Sequence, residues 1–359
     1  MINCWNDVWP NDVWSNDVWS NLMSPWQVPD VFGKTLFDFP FPALPSTPDG
    51  ARRPAAGAFL TRRHDNPCGA RDYKLYIPSA YAGQPLPLLV MLHGCSQNAE
   101  EFATATRMNR LAEQRQCFVV YPEQSASANC AKCWNWFNQH DQQRGQGEPA
   151  IIAGIAQEVM DEYGIDSARV FIAGLSAGGA MAVIMGRTYP DLFKAVGCHS
   201  GLPYGAATDA CSAMDVMRYG VNAGVNPGEH SGANGALPQR RMPTIVFHGD
   251  GDTTVHPSHG AGVIRQSLMA LPADAPSVHP LQRLVYRDVS AGRAYTHHVH
   301  CDAAGAMVAE EWIVHGAGHA WSGGDMQGTF ADSRGPDAGT EMLRFFLPLE
   351  ASEGAVGRA

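Results

Sequence analysis

Residues 169–178 read Arg169-Val-Phe-Ile-Ala-Gly174-Leu-Ser-Ala-Gly178. An apolar run enters Gly-x-Ser-x-Gly and leaves it into a helix-compatible stretch holding Ala180, Met181, Val183, Ile184 and Met185. That is a strand, a sharp turn and a helix, with the serine at the turn. The two glycines are required because a Cβ beside the turn would collide with the strand or the helix. The turn lifts the Ser176 hydroxyl clear of the sheet, within reach of a substrate carbonyl.

Outward from this point strands and helices alternate. The pattern predicts strands over 71–77, 86–92, 117–121, 169–173, 194–198, 243–248, 281–287, 294–300 and 308–314. It predicts helices over 102–115, 150–163, 177–188, 257–270 and 336–347. Several strands are short, continuous apolar runs, as expected for strands buried on both faces of a parallel sheet. The expected architecture is therefore α/β: a mostly parallel central sheet with helices on both faces, built from right-handed crossovers. Residues 294–314 read as an antiparallel hairpin turning at 302–305. Residues 201–242, rich in Gly, Ala and Asn, read as an insertion over the C-terminal edge of the sheet.

Acyl transfer at a serine needs a base for its proton, a carboxylate to orient that base, and donors for the oxyanion. For a serine on this kind of turn the chain order is Ser, then Asp or Glu, then His. Asp250 and Asp252 both follow the strand 243–248. Asp252 is the expected acid, since it lies further from the strand end and reaches the histidine loop. Asp250 reads as a turn-former. His319, between glycines straight after the last strand, is the expected base, and His315 reads as structural. The oxyanion donors are expected to be the backbone N–H groups of Ala177 and Cys95. Gly94 allows the second loop to turn. Trp134 and Trp136, with Trp321 facing them, are candidates for a hydrophobic wall at the acyl group; core packing is the plainer reading of the same residues.

The remaining features narrow the class. With 359 residues, 45% hydrophobic and 17% charged, the chain has enough apolar material for a sizeable core. The net charge is −10, with no basic stripe, which argues against a nucleic-acid partner. No apolar stretch approaches the roughly 20 residues of a membrane helix. Residues 1–30 lack Lys, Arg and a continuous apolar segment, so no signal peptide is read and a cytoplasmic start is expected. Nine cysteines cannot all pair internally. The lone Cys130-Ala-Lys-Cys133 motif reads as a thiol pair or part of one disulfide, using Cys133 or the Cys198/Cys211 pair, rather than as zinc. In the run 297–301, His298 and His300 share a strand face that His297 does not, which reads as a surface strand and not a metal cluster. The tandem pentads of residues 6–20 are too short for a solenoid and read as a disordered tail. A sharper reading has Trp9, Trp14 and Trp19 adsorbing to an apolar surface. The expected organisation is a disordered or draped tail over 1–56, a catalytic domain over 57–348 and a short tail over 349–359.

Eight segments together carry a family resemblance. They are Leu92-His-Gly-Cys-Ser-Gln-Asn98, Cys133-Trp-Asn-Trp-Phe137, Gly147-Glu-Pro149, Gly174-Leu-Ser-Ala-Gly-Gly-Ala-Met181, His199-Ser-Gly-Leu-Pro-Tyr-Gly205, His248-Gly-Asp-Gly-Asp-Thr-Thr-Val255, Gly318-His-Ala-Trp-Ser-Gly-Gly324 and Arg334-Gly-Pro-Asp-Ala338. In this order they resemble the esterase family of short-chain-length poly(3-hydroxybutyrate) depolymerases, near the feruloyl and acetylxylan esterases. The resemblance implies an α/β-hydrolase fold and a serine hydrolase without metal or other cofactor, acting on a polyester, oligoester or small ester. It implies a triad of Ser176, Asp252 and His319. Secreted members of that family carry a signal peptide, a linker domain and a polymer-binding domain, and none of these is read here. The resemblance favours polymers or oligomers of 3-hydroxybutyrate as substrate, with efficient attack on crystalline granules not expected and soluble oligomers, amorphous polymer and simple short-chain esters left open. Two rival readings are a feruloyl or acetylxylan carbohydrate esterase, and a non-catalytic granule- or surface-binding protein on a hydrolase scaffold.

Overall fold

A computed structural model describes residues 57–220, 241–269 and 281–347. The expectations for the pentad repeat and the tails, and for residues 221–240 of the insertion, lie outside the described residues.

The apolar runs form strands in which every residue is buried: β3 (Leu88–Leu92), β4 (Phe118–Pro122), β5 (Val170–Leu175), β6 (Val196–His199) and β7 (Thr244–Gly249). With β10 (Met307–Val314) they make the parallel centre of a ten-stranded sheet. Antiparallel strands flank it: β1 (Ala58–Asn66) and β2 (Gly69–Ile77) at one edge, β9 (Arg293–Cys301) and β8 (Gln282–Ser290) at the other. The order is β1-β2-β4-β3-β5-β6-β7-β10-β9-β8. A parallel strand needs a crossover, and helices supply it. They are α1 (Ala99–Thr106), α2 (Met108–Arg115), α3 (Gly147–Tyr163), α4 (Ala177–Thr188), α5 (Ala210–Tyr219) and α6 (Ser258–Met269), and α7 (Ala338–Phe346) follows the last strand.

Alternate strand residues serve opposite faces. Leu89, Met91, Val119, Tyr121, Ile245 and Phe247 pack with α1, α2 and α7. Val246 and Cys198 pack with Val263 and Ile264 of α6 on the other. This is an α/β-hydrolase fold. Among the described residues no helix is long and apolar enough to cross a membrane.

The structure departs from the sequence pattern in particular places. The helix expected over 102–115 is two helices, because Arg107 adopts a left-handed conformation with φ 55° between them. Its guanidinium donates to Asp337 at 2.6 Å and to the Gly323 carbonyl, which holds the break in place. Strand β1 is unannounced because its half-exposed, charged sequence has no apolar run; its pairing with β2 registers it instead. Helix α5 lies within the stretch read as an insertion, where no helix was expected, started by a capping box of Asp209 and Ser212. The hairpin read over 294–314 is present as β9 and β10, and β8 extends it antiparallel.

Candidate active site

Ser176 occupies the one-residue corner between β5 and α4, with φ 58° and ψ −120°. A non-glycine residue there costs on the order of 1–3 kcal/mol, so its surroundings must impose it. They do. Strand β5 is locked between β3 and β6, pairing Leu92 with Gly174 and Leu175 with His199. The Ser176 N–H donates to the His199 carbonyl at 2.9 Å. A Cβ on Gly174 would enter the backbone of Gly178, and one on Gly178 would enter the Leu92 and His93 carbonyls. Both glycines are therefore fixed by close approach. Serine before a helix normally caps it. Here the side chain makes no cap hydrogen bond, unlike Asn98 before α1, and its hydroxyl stays free of the helix.

Two aspartates follow β7, and each takes a different histidine. Asp252 has a side chain with no exposed surface, and its Oδ2 accepts from His319 Nδ1 at 2.7 Å. Its Oδ1 accepts from the Thr254 and Val255 N–H groups at 2.9 Å each. His248 adds a contact from Nε2 at 3.4 Å. Burial pushes the carboxyl upward, but the charge of His319 and the hydrogen bonds from His248 and His319 outweigh it. Asp252 is held well below the ordinary carboxylate range. Since Nδ1 of His319 donates to a carboxylate, its Nε2 is the bare nitrogen of the neutral ring. Asp250 instead accepts from His315 Nδ1 at 2.7 Å and from the Gly316 N–H, with both side chains 41% exposed.

His199 connects the two halves of the site. Its carbonyl holds Ser176, and its buried ring lies in the field of His248 and His319; burial first, then those charges, push it down to about 3. Its bare Nε2 accepts from the Ser322 N–H at 2.9 Å, just beyond His319.

The loop after β3 runs beside Ser176: a Cβ on Gly94 would lie 3.6 Å from that of Ser176. Cys95 is disulfide-bonded to Cys133. Cys130, Cys198 and Cys211 are free, so the pairing read for Cys198 and Cys211 is corrected; Cys198 is buried in the sheet and Cys211 exposed on α5. Gln97 accepts the Gly94 N–H at 2.9 Å. Gln124 joins the loops from below: its side chain donates to the Cys133 carbonyl at 2.9 Å and to Glu148, and accepts from Arg71. Glu148 also accepts from the Asn135 backbone and side-chain amides. Burial, with Asp141 beside it, pushes Glu148 up to about 7 against those donors.

The three tryptophans are interior residues. Trp134 packs on His93, Trp321 lies between His199 and Phe102, and Trp136 is edge-on to Phe137. All three are buried, as core packing expects. His297 and His298 are paired with Glu310 and Glu311 at 2.9 Å each. Among the described residues no group of His, Cys, Asp and Glu side chains gathers to hold a metal ion. His93, His199, His248 and Glu148 sit inside recognisable motifs, but only the fold reveals what they touch. Gln124 carried no sequence signal.

A serine on a strained corner after a central parallel strand, with a hydrogen-bonded aspartate and histidine on the loops after later strands, makes this an α/β-hydrolase by both fold and chain order. More particularly, the chain belongs to the Esterase PHB depolymerase family, whose model matches residues 71–272. It is 32% identical over 260 residues to poly(3-hydroxyalkanoate) depolymerase C of Paucimonas lemoignei, covering 71% of this chain and 59% of that protein. It is 29% identical over 225 residues to acetylxylan esterase A of Talaromyces purpureogenus, covering 59% of this chain and 56% of that protein. The chain thus spans less than two thirds of the length of these relatives. The acetyl xylan esterase from Aspergillus awamori shares the fold, with a TM-score of 0.57, 21% identity, and coverage of 81% of this chain and 99% of that one.

Proposed function

We propose that the chain is a serine carboxylic-ester hydrolase cleaving poly- or oligo(3-hydroxybutyrate) esters through an acyl-enzyme, with residues 57–348 as its catalytic domain. The observation that carries this reading is the buried hydrogen bond between Asp252 and His319, which leaves a bare imidazole nitrogen on the sheet edge bearing Ser176. His319 Nε2 takes the Ser176 proton as Oγ attacks the ester carbonyl. The Cys95 and Ala177 N–H groups hold the oxyanion. The intermediate collapses, the C–O bond breaks, and His319 returns the proton to the leaving alcohol. Water then attacks the acyl-enzyme, gives a proton to His319, and the acid departs as Ser176 recovers its hydrogen. The name of the Paucimonas relative supports a polyester substrate.

The test is turnover of p-nitrophenyl butyrate alongside clearing of amorphous poly(3-hydroxybutyrate), with Ser176→Ala as control. Both activities are expected, and both are expected to vanish in the variant. Folded Ser176→Ala protein with substantial turnover would sink the reading, as would wild-type Ser176 that fails to react with a fluorophosphonate. The acetylxylan esterase relatives support a second reading, deacetylation of a carbohydrate. Faster release of acetate from acetylated xylan than of acid from hydroxybutyrate oligomers would select it.

A further inference from the structure

The Cys95 N–H belongs to the same peptide unit as the Gly94 carbonyl, and no cis peptide bond occurs among the described residues. In a trans unit the two groups point in opposite directions. Whatever fixes the carbonyl therefore aims the N–H. The Gly94 carbonyl lies 2.7 Å from His93 Nδ1. The other ring nitrogen, Nε2, is 3.0 Å from the backbone nitrogen of Gln124. A backbone N–H only donates, so Nε2 must be the acceptor and Nδ1 must carry the hydrogen. The ring thus donates to Gly94 and draws its carbonyl inward. It is fully buried against Trp134, and burial pushes it down to about 4, so it is neutral over the working pH range.

The far side of the same peptide is left open. Among the described residues no protein group accepts the Cys95 N–H. The loop stands beside Ser176, as the closeness of Gly94 to its Cβ shows. Gln97 holds the Gly94 N–H, and the disulfide to Cys133 tethers the next Cα. The Gln97 N–H also reaches the Gly94 carbonyl, but at 3.3 Å, so His93 at 2.7 Å is the closer of its two donors and sets the rotation of the Gly94–Cys95 peptide plane most directly. We propose that His93 is a positioning residue: as the Nδ1–H tautomer it fixes the Gly94–Cys95 peptide plane and aims the Cys95 N–H at the ester oxygen. This rests on the serine-hydrolase reading above. Through Gln124 the same ring registers that peptide against the loop after β4, which the Gln124 side chain ties to Cys133.

The experiment compares His93→Asn with His93→Gln. Asparagine places an amide N–H near the Nδ1 position and keeps the donor to Gly94. Glutamine places an amide oxygen near Nε2, keeping the acceptor for Gln124 and losing the donor. Removing an oxyanion donor costs about 100- to 1,000-fold in kcat, and misaiming it less, so His93→Gln is expected to lose about 30-fold in kcat with KM changed less than about threefold. His93→Asn is expected to turn over about tenfold faster than His93→Gln. Affinity for a trifluoromethyl ketone, whose hemiketal oxygen mimics the oxyanion, should fall with kcat. Equal kcat in the two folded variants overturns the inference. Imidazole 15N NMR of the wild-type protein decides it without any variant: a hydrogen on Nδ1 of His93 supports it, and a hydrogen on Nε2 overturns it. Activity surviving in Ser176→Ala would instead remove the reading beneath it.

Discussion

The Asp252 carboxylate receives the Nδ1–H of His319 at 2.7 Å from a side chain with no exposed surface, while its other oxygen is held by two backbone N–H groups. The two N–H groups keep the carboxylate from rotating away, and a flipped ring would give up its bond to a buried charge. Asp250 and His315 make a bond of the same length nearby, but both are 41% exposed. Water screens that pair, and exposed pairs contribute little. Asp252→Asn should therefore lower kcat by about 1,000- to 10,000-fold, because an amide no longer selects the productive tautomer. Asp250→Asn should stay within about threefold of wild type. Steady-state kinetics on p-nitrophenyl butyrate checks both, and a larger loss in Asp250→Asn would reverse the assignment of the two pairs.

The disulfide closes a loop with a sequence separation of 38. By chain entropy, such a loop contributes about 4 kcal/mol, and less where the open chain retains structure. The double variant Cys95→Ser, Cys133→Ser should lose roughly 2–4 kcal/mol by urea denaturation. Its kcat should fall far less than that of Asp252→Asn, since the Cys95 donor is main chain and His93 and Gln97 still grip its loop. A loss of kcat equal to that of Asp252→Asn would make the disulfide, not the hydrogen bonds, the determinant of the loop.

The strand, corner and helix around Ser176 are legible because local rules decide them: buried apolar runs, glycines where backbones touch, and a helix starting at Ala177. The order Ser, Asp, His is legible too. Choosing between Asp250 and Asp252 from sequence rests on reach alone, and the structure distinguishes them by burial. What no local rule carries are the contacts between distant segments. Gln124 meets Cys133, Glu148 and Arg71 only because β2, β4 and α3 converge. The burial of the aromatic residues is illegible for the same reason: Trp134 and Trp321 stand beside candidate site motifs in the sequence, and the fold packs them against His93 and His199. Arg107 breaks a helix whose propensities are continuous, through partners at Gly323 and Asp337.

Gly178 and Gly318 both flank a candidate site residue, and the structure predicts opposite outcomes for adding a methyl group. At Gly178 the new Cβ meets two backbone carbonyls, those of Leu92 and His93, which cannot yield without moving β3. At Gly318 nothing lies within 4 Å. Gly178→Ala should destabilise by about 1–3 kcal/mol or more, as overpacking does, or fail to yield soluble protein. Gly318→Ala should stay within about 0.5 kcal/mol of wild type. Thermal unfolding of the two variants side by side checks this, and equal melting points would mean that β3 gives way more easily than its pairing with β5 implies.

Acid sensitivity follows from buried histidines working against one buried carboxyl. Burial pushes His93 and His259 down to about 4, and burial with neighbouring charge pushes His199 to about 3. In the unfolded chain each returns to about 6.5. Near pH 5.5 unfolding therefore takes up about three protons through these rings, and stability falls as pH drops from 6.5 toward 4. Glu148, raised to about 7, acts in the opposite sense: it holds its proton when folded and releases about one on unfolding. Through these four groups the net uptake is about 2 protons, a slope of roughly 2.7 kcal/mol per pH unit. In Glu148→Gln the compensating proton is gone, so the slope between pH 5 and 6 should steepen by about half, to roughly three protons. Urea midpoints at pH 5.0, 5.5 and 6.0 in both proteins measure it. An unchanged slope in the variant would mean that Glu148 is already ionised in the folded protein, held so by Gln124, Asn135 and Arg71.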